Sequence, residues 1–378
     1  MKKTFAEVVL LARTGLNPRK NFKLGQGNNN YITIKNIKNN TLVIDENTDV
    51  VDDEAIKLIH KRSKIKKGDI LFASIGRMGD MYIIEDDPVG WDINESVFVF
   101  TLDTNIVRQK YFYYIFRVKS TLDYLASNSS GSTFKSIKMN QLKKMTFDIP
   151  PLEKQDQIVA TLDKVCNVIE MRKQELIKLD DLIKARFVEM FGDPANNEKG
   201  FIKAPMGEYM TVLTDFSSNG SYKTLDSGVI MYDEPNYAWM VRTTDLESGD
   251  MTAIKYIDEE AYELLAKSKI YGGEIIMNKI GSAGKIYLMP QIDIPASLGR
   301  NAFMFRYDER INVKFLYHLL TSEYGQREIQ QYVRGAVTKT ITKNDVRAVL
   351  IIVPPIELQN EFESFVEQVN KSKFIRHY

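Results

Sequence analysis

Apolar residues recur along this chain in two different rhythms. From Glu153 to Phe191 they return at alternating steps of four and three, at Ile158, Leu162, Val165, Ile169, Leu176, Leu179 and Ile183, with Arg172 as a polar insertion in the same stripe. That spacing is a heptad seam and predicts one continuous helix, roughly 58 Å long at a rise of ~1.5 Å per residue. Gly192-Asp193-Pro194 ends it, glycine just past the last turn and proline soon after. Elsewhere the apolar runs are short and β-rich: Tyr31-Ile32-Thr33-Ile34, with Lys35 at its end, Ile70-Leu71-Phe72, and Val97 to Phe100. A helix is predicted over Arg108–Leu125, then a polar loop at Ser127–Ser132, a short helix at Ile137–Leu142 and a last strand at Met145–Ile149.

The second half repeats this plan. Pro150-Pro151-Leu152-Glu153-Lys154-Gln155 returns as Pro354-Pro355-Ile356-Glu357-Leu358-Gln359, and Gly131 to Ile137 aligns with Gly335 to Ile341. Gly68-Asp69-Ile70-Leu71 with Gly76 and Gly79 aligns with Gly273-Glu274-Ile275-Ile276 with Gly281 and Gly284, and Trp239 to Arg242 answers Tyr31 to Lys35. Glycines, prolines and apolar positions persist while the surface changes, so one scaffold carries two different surfaces. After Pro355 a second helix begins, with Phe362, Val366 and Val369 in the places of Ile158, Leu162 and Val165. It reaches Tyr378 well short of the counterpart of Phe191, so the central helix from about Glu175 onward is expected to lack an intramolecular partner and to pair with another copy of the chain or with a partner protein.

At 378 residues the chain suits two domains of about 150 residues plus connectors. The boundaries read as a first domain at 1–150, a central spacer helix at 151–193, a second domain at 194–353 and a shortened distal helix at 354–378. No apolar run approaches the ~20 residues of a membrane span, and Met-Lys-Lys-Thr-Phe lacks the apolar core of a signal peptide, so a cytoplasmic protein with no membrane partner is expected. Cys166 is the sole cysteine, which excludes an internal disulfide, and His60, His318 and His377 show no metal-ligand spacing. Gly25-Gln26-Gly27-Asn28-Asn29-Asn30 fails the dinucleotide fingerprint, and Gly281-Ser282-Ala283-Gly284-Lys285-Ile286 lacks the spacing and the Ser/Thr of a phosphate loop. No catalytic or cofactor-binding residue is therefore nominated. A net charge of +1 argues against an indiscriminate polyanion binder but leaves room for a basic face.

Two related heads joined by an antiparallel helix pair would have approximate twofold symmetry, which suits duplex DNA, whose dyads repeat about every 34 Å. At this point the chain resembles a specificity subunit, HsdS-type, of a type I restriction-modification enzyme. The resemblance is carried by the duplicated glycine turns, Gly131-Ser132-Thr133 with Lys135, the Pro150 to Gln155 run with Ile158, and Arg186 to Pro194. It implies an α+β fold of two tandem, pseudo-twofold-related α/β target-recognition domains separated by long antiparallel coiled-coil-like helices. It further implies that each domain reads half of a bipartite, asymmetric site in double-stranded DNA. The helices set the spacer and dock two methyltransferase (modification) subunits, to which restriction/motor subunits add. The chain itself is then no enzyme, and S-adenosylmethionine, ATP and Mg²⁺ belong to the partners.

Candidate DNA contacts follow from residue type and place, each weighed against a solvated surface side chain. Arg77 and, in the matched turn, Ser282 and Lys285 sit at glycine-rich tips; Ser132, Lys135 and Lys339 belong to the second duplicated loop. Lys35 and Arg242 end matched strands, and Arg300, Asn301 and Arg334 add basic or amide groups in the second domain. Trp91 and Trp239 read as core. Two rival readings remain: a helical scaffold that never touches DNA, and a nucleotide-dependent DNA-modifying enzyme.

Overall fold

A computed structural model describes residues 1–38, 41–131 and 134–374, and the side chains of these except Phe374. The chain divides into two compact units, Met1–Met171 and Arg172–Tyr378, so the division falls within one 40-residue helix, Leu152–Phe191.

The two units are built on one topology. The first has an antiparallel four-stranded sheet ordered Val9–Thr14, Val97–Leu102, Ile70–Ala73, Met81–Ile83; the second has Met210–Asp215, Ala302–Tyr307, Ile275–Asn278, Ile286–Leu288 in the same order. Each adds a parallel strand pair, Asn29–Ile32 with Trp91–Ile93 and Ala238–Val241 with Ala296–Leu298. Each closes with a two-stranded ribbon joining its first strand to the strand before the proline pair, Lys2–Thr4 with Thr146–Asp148 and Ile202–Pro205 with Leu350–Val353. The central strands are apolar on both faces because both faces are covered: Phe72, Phe98 and Phe100 face one core and Leu71, Val97 and Val99 another. Trp239 is fully buried, and Trp91 is half-buried against the second of those cores.

The proline-rich repeat has a specific structural purpose. Gln155 and Gln359, three residues into their helices, are both fully buried. The Gln155 carboxamide accepts from the Arg108 amide at 2.8 Å and donates to the carbonyls of Ile106 and Pro150, each at 2.8 Å. Gln359 repeats the clasp, accepting from the Asn312 amide at 2.8 Å and donating to the carbonyls of Arg310 and Pro354 at 3.1 and 2.7 Å. One side chain thus satisfies three backbone groups that burial would otherwise leave without partners, and it fixes where the helix leaves the domain.

Three sequence expectations need correction. The helix predicted at Arg108–Leu125 is two, Gln109–Ile115 and Lys119–Ser127; Val118 leaves the helical basin at ψ 144°, and this break lets Phe116 and Leu125 enter one core. The strand expected at Tyr31 to Lys35 ends at Ile32, because the Asn36 carboxamide accepts from the Thr33 amide at 2.9 Å and folds Lys35 into a turn. The third concerns the helix seam. Within the second unit, Ile356–Phe374 lies antiparallel on the C-terminal part of the central helix. Phe362 meets Phe187 and Phe191 at centroid distances of 5.4 and 5.6 Å near one end, and Lys373 meets Asp180 at 2.6 Å near the other. Ile183, Phe362, Val366 and Val369 are buried, and Leu176 and Leu179 are half-buried. The segment from Glu175 onward is therefore the paired part, since a helix returning from Pro355 covers the nearest turns first. The open stretch lies earlier: Ile158 and Leu162 are half-buried, but Val165 and Ile169 are each 50% exposed, with Val168 and Met171 beside them at 65% and 72%. Arg172, the polar insertion, donates to the Lys373 carbonyl and to Glu175 where the paired part ends.

Candidate nucleic-acid interface

Each unit carries a pair of loops tied together in the same way. The strands Ile70–Ala73 and Met81–Ile83 form a hairpin whose tip runs through Gly76 and Gly79, at φ +72° and +92°, in the left-handed region that glycine tolerates. Beside it the chain doubles back so that Ser130 and Ser136 exchange backbone hydrogen bonds at 2.9 and 2.8 Å. The Gly76 amide donates to the Lys135 carbonyl at 3.0 Å, and the Ile137 amide to the Ser74 carbonyl at 2.9 Å. The second unit repeats every bond: Arg334 with Thr340 at 2.9 and 2.7 Å, Gly281 to Lys339 at 2.9 Å, and Ile341 to Lys279 at 3.2 Å. Gly335, at φ +108°, is required here, because a Cβ would stand 2.1 Å from the Thr338 carbonyl oxygen.

These tips are poor in acids. Segments 74–79 and 128–138 contain Arg77, Lys135 and Lys138 and no carboxylate; segments 279–285 and 331–343 contain Lys279, Lys285, Arg334, Lys339 and Lys343 and again none. Several of these cations are engaged from outside the tips. Lys285 pairs with Glu247 at 2.6 Å, Arg334 with Asp345 at 2.8 Å, and Arg77 donates to the Ile37 carbonyl at 3.0 Å while lying 3.5 Å from Asp80. Lys35, Lys135 and Lys339 are exposed. Ser132 lies outside the described residues.

In the second unit four of the nominated residues converge. Arg242, Ser282, Arg300 and Asn301 line a cleft of about 430 Å³, together with Phe216, Met231, Met240 and Asn278. Arg300 pairs with Asp226 at 2.8 Å and lies over the rings of Phe216 and Tyr222, at 4.9 and 5.4 Å, within reach of a cation–π attraction to both. Arg242 serves partly as a brace: it grips the buried Asp245 carboxylate, which also accepts from the Trp239 indole at 3.3 Å. Asn301 adopts φ +65°, a left-handed turn whose carbonyl accepts from the Lys279 amide at 2.8 Å.

Sequence reasoning missed the group that holds the second unit's tips in place. Asp215, at the end of strand Met210–Asp215, meets Lys279 at 2.9 Å and Lys343 at 2.8 Å and also accepts from Ser217 and Ser218. Burial acts to raise the Asp215 carboxyl, but the hydrogen bonds from Lys343, Ser218, Lys279 and Ser217 outweigh it and hold the group far below the usual carboxylate range. Its two lysine partners are distant in sequence, and no local pattern announces them. Among the described residues no group of three or more His, Cys, Asp or Glu side chains could hold a metal ion, and no helix is long and apolar enough to cross a membrane.

Comparison with known proteins gives this geometry a family. Two solved structures resemble the chain along 99% of its length and 90% of theirs: a type I restriction-modification system S subunit from M. genitalium, with TM-score 0.54 at 15% identity, and a chain from a study of complex assembly and conformational transition of the type I R-M system, with TM-score 0.56 at 17%. They share its fold. The specificity subunit of the type I restriction enzyme EcoBI of Escherichia coli is 23% identical over 297 residues, covering 73% of this chain and 62% of that subunit, so the match spans less than two thirds of that subunit's length. The MjaVIII specificity subunit of Methanocaldococcus jannaschii is 21% identical over 340 residues, 85% of this chain and 77% of that one. The sequence profile described as "Type I restriction modification DNA specificity domain" matches twice, over residues 1–181 and 209–376, and the chain belongs to that family.

Proposed function

We propose that this chain is the DNA sequence-recognition subunit of a type I restriction-modification complex, its domains at 1–150 and 194–353 each reading one half of a bipartite, asymmetric site. The observation that carries the proposal is the duplicated loop pair: identical backbone bonds in both units, tips without acids, and different side chains on each. Cations at the tips meet phosphates and set register, while tip and cleft side chains meet base edges. Lys35, Arg77, Lys135, Arg242, Ser282, Lys285, Arg300, Asn301, Arg334 and Lys339 are the contacts assigned on this reading. The helices set the spacer between half-sites. The exposed Val165, Val168, Ile169 and Met171 face a methyltransferase subunit, and two such subunits bring the S-adenosylmethionine chemistry; motor and nuclease subunits bring ATP and Mg²⁺. The chain contributes no catalytic group.

The test is selection from a random-sequence duplex pool, with and without a methyltransferase subunit from the same system. Enrichment of two short half-sites at fixed separation is expected; no sequence enrichment under either condition refutes the proposal. The open helix stretch favours one further reading, pairing of two copies in the absence of the partner subunit. Light scattering at high concentration tests it, and a strictly monomeric chain removes it.

A further inference from the structure

The duplicated second loop does more than carry a lysine. In the second unit Val337 stands at its tip 98% exposed, and in the first unit Phe134 stands 71% exposed on the matching loop. An exposed apolar side chain on a surface is ordinary when it is single and loosely held. These two are neither. One stands in each unit, within the segment closed by the Ser130–Ser136 or Arg334–Thr340 pair; Phe134 directly precedes Lys135 and Val337 stands two residues before Lys339, and these lysine carbonyls tie the segments to the glycine hairpins. That carbonyl, of Lys135 or Lys339, is bonded to the Gly76 or Gly281 amide at 3.0 or 2.9 Å, so the backbone close to each apolar residue is pinned by a duplicated bond. Glycine at the base reinforces this, since the close approach of Gly131 to the Phe134 carbonyl and of Gly335 to the Thr338 carbonyl leaves no room for a Cβ. Phe134 and Val337 are left exposed, and the exposed side chains of Lys135 and Lys339 stand close by without a carboxylate in either segment.

Resting on the DNA-reading proposal above, we infer that Val337 and Phe134 are specificity-determining residues, each making an apolar contact with base edges in the half-site its own domain reads, while Lys339 and Lys135 neutralise the phosphates alongside. Apolar side chains discriminate bases because only some base edges present an apolar group, above all the thymine methyl. A lysine beside such a contact fixes register without choosing sequence. The charge around the tips favours nucleic acid over a protein partner as the occupant. The two residues stand one register position apart, Phe134 opposite Thr338 and Val337 opposite Thr133, so the two units present differently placed apolar groups, as two different half-sites require.

The experiment compares the full chain, assembled with its methyltransferase subunits, with Val337→Ser, Phe134→Ser and Lys339→Gln variants, each selected against a random duplex pool and titrated on the wild-type site at several salt concentrations. Val337→Ser is expected to lose base preference at one or two adjacent positions of one half-site and to bind the wild-type site roughly tenfold more weakly, as for one buried valine. Its salt dependence and the other half-site stay unchanged. Phe134→Ser does the same in the opposite half-site. Lys339→Gln weakens all sequences alike and lowers the slope of log K against log salt by about one. Serine variants that keep wild-type affinity and every positional preference overturn the inference. So does a loss confined to assembly with the methyltransferase subunits, measured without DNA, which would make the tips protein contacts. If the wild-type complex selects no sequence at all, the DNA-reading proposal itself fails and this one falls with it.

Discussion

Replacing Gln359 by glutamate changes one atom type at a site closed to bulk solvent. The wild-type carboxamide donates to two carbonyl oxygens, at 3.1 and 2.7 Å, and accepts from one amide at 2.8 Å, with the residue fully buried. A carboxylate keeps the acceptor role but turns both donations into oxygen–oxygen contacts. Each lost buried hydrogen bond costs about 1–3 kcal/mol, so about 2–6 kcal/mol is expected for the two at pH 7.5, with burial of the charge working in the same direction. Protonation restores one donor. Burial raises the folded-state pKa of this acid above its unfolded value of about 4.3, so the folded state binds more protons between the two. The penalty is therefore largest above the folded pKa and shrinks as pH falls through it. Trp239 is fully buried in the second unit and the other tryptophan, Trp91, lies in the first. Urea unfolding followed by Trp239 fluorescence in a Trp91→Phe background, at pH 7.5 and pH 5, isolates the affected unit. A loss below about 1 kcal/mol, or a larger loss at pH 5 than at pH 7.5, would refute the clasp as described.

Gly335→Ala should distort the second unit's tip, because its Cβ meets the Thr338 carbonyl oxygen at 2.1 Å; DNA affinity should fall while the melting temperature barely moves, and unaltered binding in a gel shift would contradict the geometry. Burial, helped by the charge of Lys373 and opposed by Asp180, holds His318 down at about 4 against 6.5 when unfolded. The unfolded chain binds the extra proton in that window, so the second unit should lose stability as pH falls from 6.5 towards 4, and His318→Phe should flatten this part of a urea-midpoint profile. Val165→Asp with Ile169→Asp should leave the melting temperature near wild type, because both side chains are half exposed, yet abolish co-purification with a methyltransferase subunit. Val366→Asp, only 3% exposed, should instead unfold the second unit, as circular dichroism would register.

The features legible in the sequence were those written into local periodicity or stated twice. The heptad stripe gave the Leu152–Phe191 helix, and the repeated glycines gave both hairpin tips, because positive φ restricts residue choice strongly. The Pro-Pro run was seen as a repeat, but its meaning lay in Gln155 and Gln359, whose partners stand 47 to 49 positions away in addition to the nearby prolines. The antiparallel direction is legible but the covered stretch is not: the apolar pattern of the C-terminal helix is the same whichever end of the central helix it covers, and tertiary contacts such as Phe362 on Phe187 and Phe191 and Lys373 on Asp180 decide. Among the nominated contacts, residue type located the cleft-lining Arg300 and Asn301 but could not foresee that Arg242 is committed to Asp245 and Lys285 to Glu247. The exposure of Phe134 and Val337 is a property of the fold that residue type does not announce.

The two glutamine clasps bear on how such a chain can change over generations. Each fastens a spacer helix to its own domain through backbone carbonyls and an amide, with no call on the side chains at the loop tips. A new recognition surface can therefore be installed above the clasp, by substitution or by exchange of a whole domain at the proline pair, without re-aiming the helix below it. Sequence preference and helix exit become separately inheritable, and a change of target need not be accompanied by a change in assembly.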